Sequence, residues 1–161
     1  MSVNLIVAIG KKGEIGKNGD LIWKISDDLK RFKALTTGHP VIMGRKTWDS
    51  LPKKPLPGRR NIVLTRNKNF YAEGAETVDS VEHALEITEG ESPFIIGGAE
   101  IYNAFLPFVS NLYLTIVDDH CCEADAFLDI DLSAGWYLVE ESQTMSTPTG
   151  LSFQYVSYQR K

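Results

Sequence analysis

Short, nearly unbroken apolar runs recur through the first 117 residues: Val3 to Ile9, Pro40 to Met43, Asn61 to Thr65, Phe94 to Ile96 and Leu112 to Val117. Runs of this length are strands, and their lack of polar alternation marks strands covered on both faces. Helical stretches fall between them, over 26–37, 45–51, from Asp79 to about Thr88, and from Gly97-Gly98 to about Val109. Ser26 reads as an N-cap with Asp27 and Asp28 in the first turn, and Asp79 with Glu82 as a capping box. Residues 10–25, with Gly10, Gly13, Gly16 and Gly19, read as a long loop. Trp136 to Thr144 and Leu151 to Gln159 read as an antiparallel hairpin turning at Thr147-Pro148-Thr149-Gly150. The expected fold is α/β, a mixed and mostly parallel central sheet with a C-terminal antiparallel hairpin and helices on both faces. At 161 residues the chain reads as one domain, 1–161.

The earliest apolar run is too short to span a bilayer, and nothing around it resembles a secretory leader. Cys121 and Cys122 are adjacent and give neither a disulfide framework nor metal-ligand spacing, so a reduced, cytoplasmic protein is expected. Charge is divided along the chain. Residues 1–68 carry 15 of the 17 Lys and Arg, whereas residues 69–159 carry none of them and 16 of the 21 Asp and Glu. A basic first half suits an anionic partner: nucleic acid, a phosphorylated cofactor or an acidic substrate. A nucleic-acid surface would interleave exposed aromatic residues with the cations. Phe32, Trp48 and Phe70 read as core or pocket residues instead, so no nucleic-acid partner is expected.

Three strand ends share a pattern. Met43 runs into Gly44-Arg45-Lys46-Thr47, Leu64 into Thr65-Arg66, and Ile96 into Gly97-Gly98. Glycines with cations at the carboxyl ends of parallel strands suit a phosphorylated ligand. Any one of them alone is no more than a turn, and neither G-x-G-x-x-G nor the Walker pattern is present. On the helix at 26–37, Asp28, Phe32 and Leu35 share one face with Leu29 beside them, while Asp27 faces Lys30 and Arg31. A carboxylate on an apolar stripe has its pKa raised, as a general acid requires, but a first-turn Asp is also what the helix dipole favours. Spacing alone leaves both readings open. His39, His83 and His120 are scattered, no metal site is expected, and no nucleophile elbow occurs.

Longer segments go further: Ile15-Gly16-Lys17-Asn18-Gly19-Asp20-Leu21-Ile22-Trp23, Val41 through Trp48, Pro55-Leu56-Pro57-Gly58-Arg59, Asn61 through Arg66, Ile95 through Tyr102, and Leu112-Tyr113-Leu114-Thr115. In order and spacing they resemble bacterial dihydrofolate reductases from residue 3 to about 158. The resemblance implies NADPH-dependent reduction of 7,8-dihydrofolate to tetrahydrofolate, with hydride to C6 and a proton to N5. It implies a monomer that antifolates inhibit. It assigns Asp28 as the pocket acid, Thr115 as its hydrogen-bond partner and Trp23 as the holder of an ordered water.

The resemblance also implies that Ile6, Ala8, Phe32 and Leu56 line the substrate pocket, with Lys33 and Arg59 meeting the glutamate tail. The cofactor would lie along Ala8, Ile15, Gly16, Gly44, Leu64, Ala99, Ile101 and Tyr102. Arg45, Lys46 and Thr47 would hold its phosphates, Thr65 and Arg66 the 2′-phosphate, and a cis Gly97-Gly98 peptide would lie against the dinucleotide. Three departures stand out: Ile22 where the family usually has proline, one extra residue within 51–55, and a weak match over 118–131.

Overall fold

Alternation within each apolar run decides which side of the sheet each helix covers. The computed structural model describes residues 2–161. In chain order its elements are β1 (Asn4–Ile9), β2 (Glu14–Lys17), β3 (Asp20–Leu21), α1 (Ser26–Thr36), β4 (Val41–Gly44), α2 (Arg45–Ser50), β5 (Asn61–Leu64), β6 (Ala75–Val78), α3 (Val81–Ile87), β7 (Phe94–Gly97) and α4 (Ala99–Phe105). A 3-10 turn over Leu106–Phe108 follows, then β8 (Asn111–Val117), β9 (Ala126–Phe127), β10 (Trp136–Glu141), β11 (Met145–Ser146) and β12 (Ser152–Arg160).

The main sheet runs β10-β12-β8-β1-β7-β4-β5-β6, with β11 paired to β12. From β8 to β6 every pair is parallel; β12 alone runs against them, and β10 and β11 each pair antiparallel with β12. Leu5, Val7, Ile42, Ile62 and Ile95 pack with Ala84 of α3 and Ile101 and Phe105 of α4. Their neighbours Ile6, Val41, Met43, Val63 and Phe94 pack with Phe32 and Leu35 of α1 and Trp48 of α2. The period-2 geometry of a strand thus sends alternate side chains to opposite cores, and helices cover both faces.

Several local expectations are corrected. Ser26 is inside α1; its N-cap is Ile25, in extended conformation with no side-chain cap bond, and Ile25 is buried. Apolar burial of Ile25 places the helix start, so the hydroxyl next to it is not used as a cap. At α3 the cap is Ser80, whose side chain accepts the His83 N–H at 3.0 Å, while Asp79 lies outside. Arg31 does not pair with Asp27: its guanidinium stacks 4.2 Å over the Tyr155 ring. Leu29 is half exposed instead of buried beside Phe32.

The stretch 10–25 is not an open loop. β2 and β3 form a hairpin turning at Asn18-Gly19, both with positive φ, and β9 pairs with β2 from the other side. Asn-Gly is the sequence signal for such a two-residue turn. Strand β6, Ala75-Glu76-Thr77-Val78, is absent from the expectations because it is a half-polar edge strand. At the opposite edge lies β10, with Tyr137, Leu138 and Val139 exposed and a bulge between Leu138 and Glu140.

The fold depends on α4 lying flat against the sheet. Phe105, fully buried, is its largest anchor. Phe105→Ala is expected to lower unfolding free energy by about 3–5 kcal/mol in urea titration.

Candidate active site

A cleft of about 1470 Å³ opens where β1, β4, β5 and β7 end. Of the residues singled out in the sequence, Ile6, Ala8, Phe32, Leu56 and Asp28 line it together with Ile15, Gly16, Gly44, Leu64, Ala99, Ile101 and Tyr102. The cations Lys33, Arg45, Lys46, Arg59 and Arg66 also line it, as do Thr47, Thr65, Gly97 and Gly98. Trp23 and Thr115 stand behind the wall.

Asp28 sits on the first turn of α1, facing β8. Of the carboxylates that line the cleft, it alone is not solvent-exposed. The Thr115 hydroxyl, buried in mid-β8, donates to its Oδ1. Burial pushes the Asp28 carboxyl above the ordinary carboxylate range; the Thr115 hydrogen bond and then the Arg31 charge oppose it without prevailing. Nearby, the buried Tyr102 hydroxyl donates to the Ile6 carbonyl in mid-β1 at 2.8 Å.

Trp23 is buried against Ile25, Val117 and Phe153. Its indole N–H donates to Asp119 Oδ2 at 3.0 Å, so the ring is tied to the segment after β8. Ile22, in the usual place of proline, packs against the same cluster.

The turn 56–60 owes its shape to Asn61, a residue the sequence reading passed over. Its buried amide accepts the Leu56 N–H at 2.8 Å and donates to the Leu56 and Arg59 carbonyls, both at 2.9 Å. The Arg59 side chain donates to the Pro57 carbonyl at 2.9 Å and to Thr36 Oγ1 at 3.0 Å. Among the described residues no carboxylate forms an ion pair with Arg59, Lys33, Lys46 or Arg66. Arg45 has a distant partner in Asp49, at 3.7 Å, and lies 5.0 Å over the Phe70 ring.

Glycines shape the floor. The Gly97-Gly98 peptide is cis, and Gly97 has a φ of 125°. A methyl group added at Gly98 would meet only Thr47 Oγ1 at 3.8 Å and would project into the cleft. At Gly44 it would strike the Ile101 side chain at 2.9 Å, which is why β4 and α4 can approach so closely.

One wall of the cleft is the β2–β3 hairpin, held by the segment that matches the resemblance least. The Asn18 N–H donates to Asp125 Oδ2 at 2.9 Å, the Asp125 N–H to the Gly16 carbonyl at 3.1 Å, and Lys17 pairs with Glu123. These partners lie more than 100 residues apart, and no local pattern could have shown them.

A family model described as dihydrofolate reductase matches residues 2–160. The dihydrofolate reductase of Neisseria meningitidis serogroup A is 43% identical over 161 residues, covering 99% of each chain. That of Mycobacterium leprae is 44% identical over 162 residues, covering 98% of each. Among solved structures, a dihydrofolate reductase from Enterococcus faecalis, complexed with NADP(H) and RAB-propyl, superposes with a TM-score of 0.91 at 30% identity, covering 99% of this chain and 96% of that one. With sequence, strand order and cleft in agreement, the chain belongs to the dihydrofolate reductase family.

Proposed function

We propose that the cleft reduces 7,8-dihydrofolate to 5,6,7,8-tetrahydrofolate with NADPH, and that Asp28 is its acid. The observation that carries the reading is the half-buried Asp28 carboxyl, held by Thr115 in a cleft where Lys33, Lys46, Arg59 and Arg66 have no carboxylate partner among the described residues. The residues present fit the cofactor: Gly98 leaves backbone open to a ligand, and Lys46 and Arg66 are free to meet phosphates. Bound there, NADPH supplies the hydride that C6 of the pterin receives.

The chain's own groups do the rest. Asp28 accepts from N3 and the 2-amino group of the pterin, and through solvent it supplies the proton that N5 gains. Thr115 spends its hydrogen on Asp28, which fixes the carboxyl and leaves its second oxygen for the substrate. Trp23 limits the water that reaches this acid. Ile6, Phe32 and Leu56 take the apolar faces of the substrate. Arg59 offers a guanidinium fork to the α-carboxylate of the glutamate tail, with Lys33 beside it. Arg45, Lys46 and Thr47 hold the pyrophosphate, and Thr65 with Arg66 the 2′-phosphate. A monomer in the cytoplasm completes the proposal, as the resemblance implies. Antifolates that carry a protonated diamino ring suit Asp28 by the same charge pairing.

The direct test mixes the protein with NADPH and dihydrofolate and follows loss of NADPH absorbance; no loss from folded protein that still binds NADPH would refute the reading. Asp28→Asn is expected to slow turnover by roughly 10²–10⁴-fold with NADPH affinity unchanged in fluorescence titration. The same variant gives a stability prediction. A carboxyl with a raised folded pKa binds more protons folded than unfolded, so its contribution is full in acid and falls as pH rises through the folded value. Denaturant titrations should therefore find Asp28→Asn more stable than the natural chain at pH 7, with the difference closing towards pH 4. Arg66→Ala is expected to weaken NADPH by about ten- to a hundredfold while NADH changes less than about twofold, as loss of one charged contact implies. Equal losses for both would displace the 2′-phosphate site.

A further inference from the structure

Glu14 is a fully buried carboxylate that neither catalysis nor ligand binding uses. It lies on β2, where the pairing with β9 slips between Glu14 and Gly16, a bulge that leaves Glu14, Ile15 and Gly16 all buried. Three donors converge on it. The Lys12 N–H donates to Oε1 at 2.6 Å; the Cys121 N–H at 2.7 Å and His120 Nδ1 at 2.6 Å both meet Oε2. A carboxylate of this kind only accepts, so Nδ1 of His120 carries the proton. Burial alone would raise the carboxyl's pKa, but the backbone N–H groups and His120 outweigh it and hold it down at about 2.

The residues that hold Glu14 also hold Trp23. Asp119 takes the indole N–H on Oδ2 and its neighbour His120 N–H on Oδ1 at 2.8 Å, and its carbonyl takes the Lys11 N–H at 3.1 Å. All of this closes over Gly10. A methyl group there would come within 2.4 Å of Trp23 Cη2, 2.8 Å of Glu14 Oε1 and 3.2 Å of the Asp119 carbonyl. Three consecutive residues after β8 therefore grip the chain both at its exit from β1 and at Trp23, shortly before α1. The Ile15–Gly16 wall of the cleft lies between the two grips.

An apolar side chain of similar volume would in general serve a buried site at least as well as a charge. What a carboxylate adds is direction: it holds three named donors in one arrangement and no other. We propose that Glu14 is a positioning residue for the reaction, locking the Asp119–Cys121 segment onto the 10–23 stretch and so fixing the Trp23 ring and the Ile15–Gly16 wall of the cleft. The proposal rests on the reading of Trp23 as a residue of the substrate pocket.

Glu14→Gln tests it, because either orientation of the amide sets an N–H against a backbone N–H. The expected result is a fall in kcat of roughly tenfold, as small misplacements at a reacting centre produce, with a rise in KM for NADPH because the loosened Ile15–Gly16 wall lies along the cofactor. Two readouts do not involve turnover. The Trp23 indole N–H resonance should shift, and exchange of the Lys12 and Cys121 amides should accelerate by roughly tenfold or more. Val109→Ala, in the core far from this segment, serves as a control of comparable destabilisation and should leave kcat and the indole resonance unmoved. If Glu14→Gln does not fold, His120→Ala removes one donor of the three, with the same shifts expected in smaller measure. An unmoved indole resonance would overturn the grip itself. A moved resonance with kcat within twofold would overturn the role given to Trp23, and the proposal with it.

Discussion

A parallel sheet covered on both faces has only its two rims left for chemistry, and this structure follows from that constraint. Strands that all run one way deliver their carboxyl ends to a single rim, so Gly44-Arg45, Thr65-Arg66 and Gly97-Gly98 arrive side by side although they are widely separated in the chain. Each arrival is set by burial of the strand behind it. Ile42, Ile62 and Ile95 are fully buried, so the rim cannot shift without moving the core. Loops give the site its residues, and the packed strands give those residues their positions.

The cleft is also where the molecule works against its own stability. Among the described residues Lys33, Lys46, Arg59 and Arg66 lack protein counter-charges, and Asp28 is held in surroundings that disfavour its charge. Elsewhere similar charges are satisfied: Arg60 pairs with Glu76 and Glu91, and Glu14 is surrounded by donors. Unpaired cations and a strained acid in one place are the pattern of a site built to be completed by anionic ligands. Arg59 shows how such a cation is kept in place without neutralising it, since its bonds run to a carbonyl and a hydroxyl, and neither cancels its charge.

The sequence made the sheet legible because buried strands write themselves as short apolar runs, and the strand-end residues followed from them. Trp23 and Thr115 came only through resemblance: nothing in their spacing sets a tryptophan before α1 against Asp119, or a threonine of β8 beside an aspartate of α1. Asn61 stayed hidden because a buried amide that staples a turn looks, in sequence, like any polar residue opening a strand. β6 was too polar and β2 too short to register. The Asn18-Gly19 pair did carry a readable hairpin signal, but the partner that makes β2 part of a sheet is β9, over 100 residues away. Helix starts were misread where apolar anchoring at Ile25 overrode the hydroxyl of Ser26.

At the outer edge of the sheet, β10 presents Tyr137, Leu138 and Val139 to solvent on a strand with one open side. Such a strand is a template for a second chain to continue the sheet. Two features stand against it. The bulge between Leu138 and Glu140 breaks the regular spacing of backbone groups that an incoming strand would need, and Glu140 and Glu141 place two negative charges where a like strand would bring two more. The crooked, acidic edge thus acts as a terminator: it ends the growth of the sheet at this chain, and a substitution that straightened or neutralised it would turn the enzyme's border into a seed for stacking.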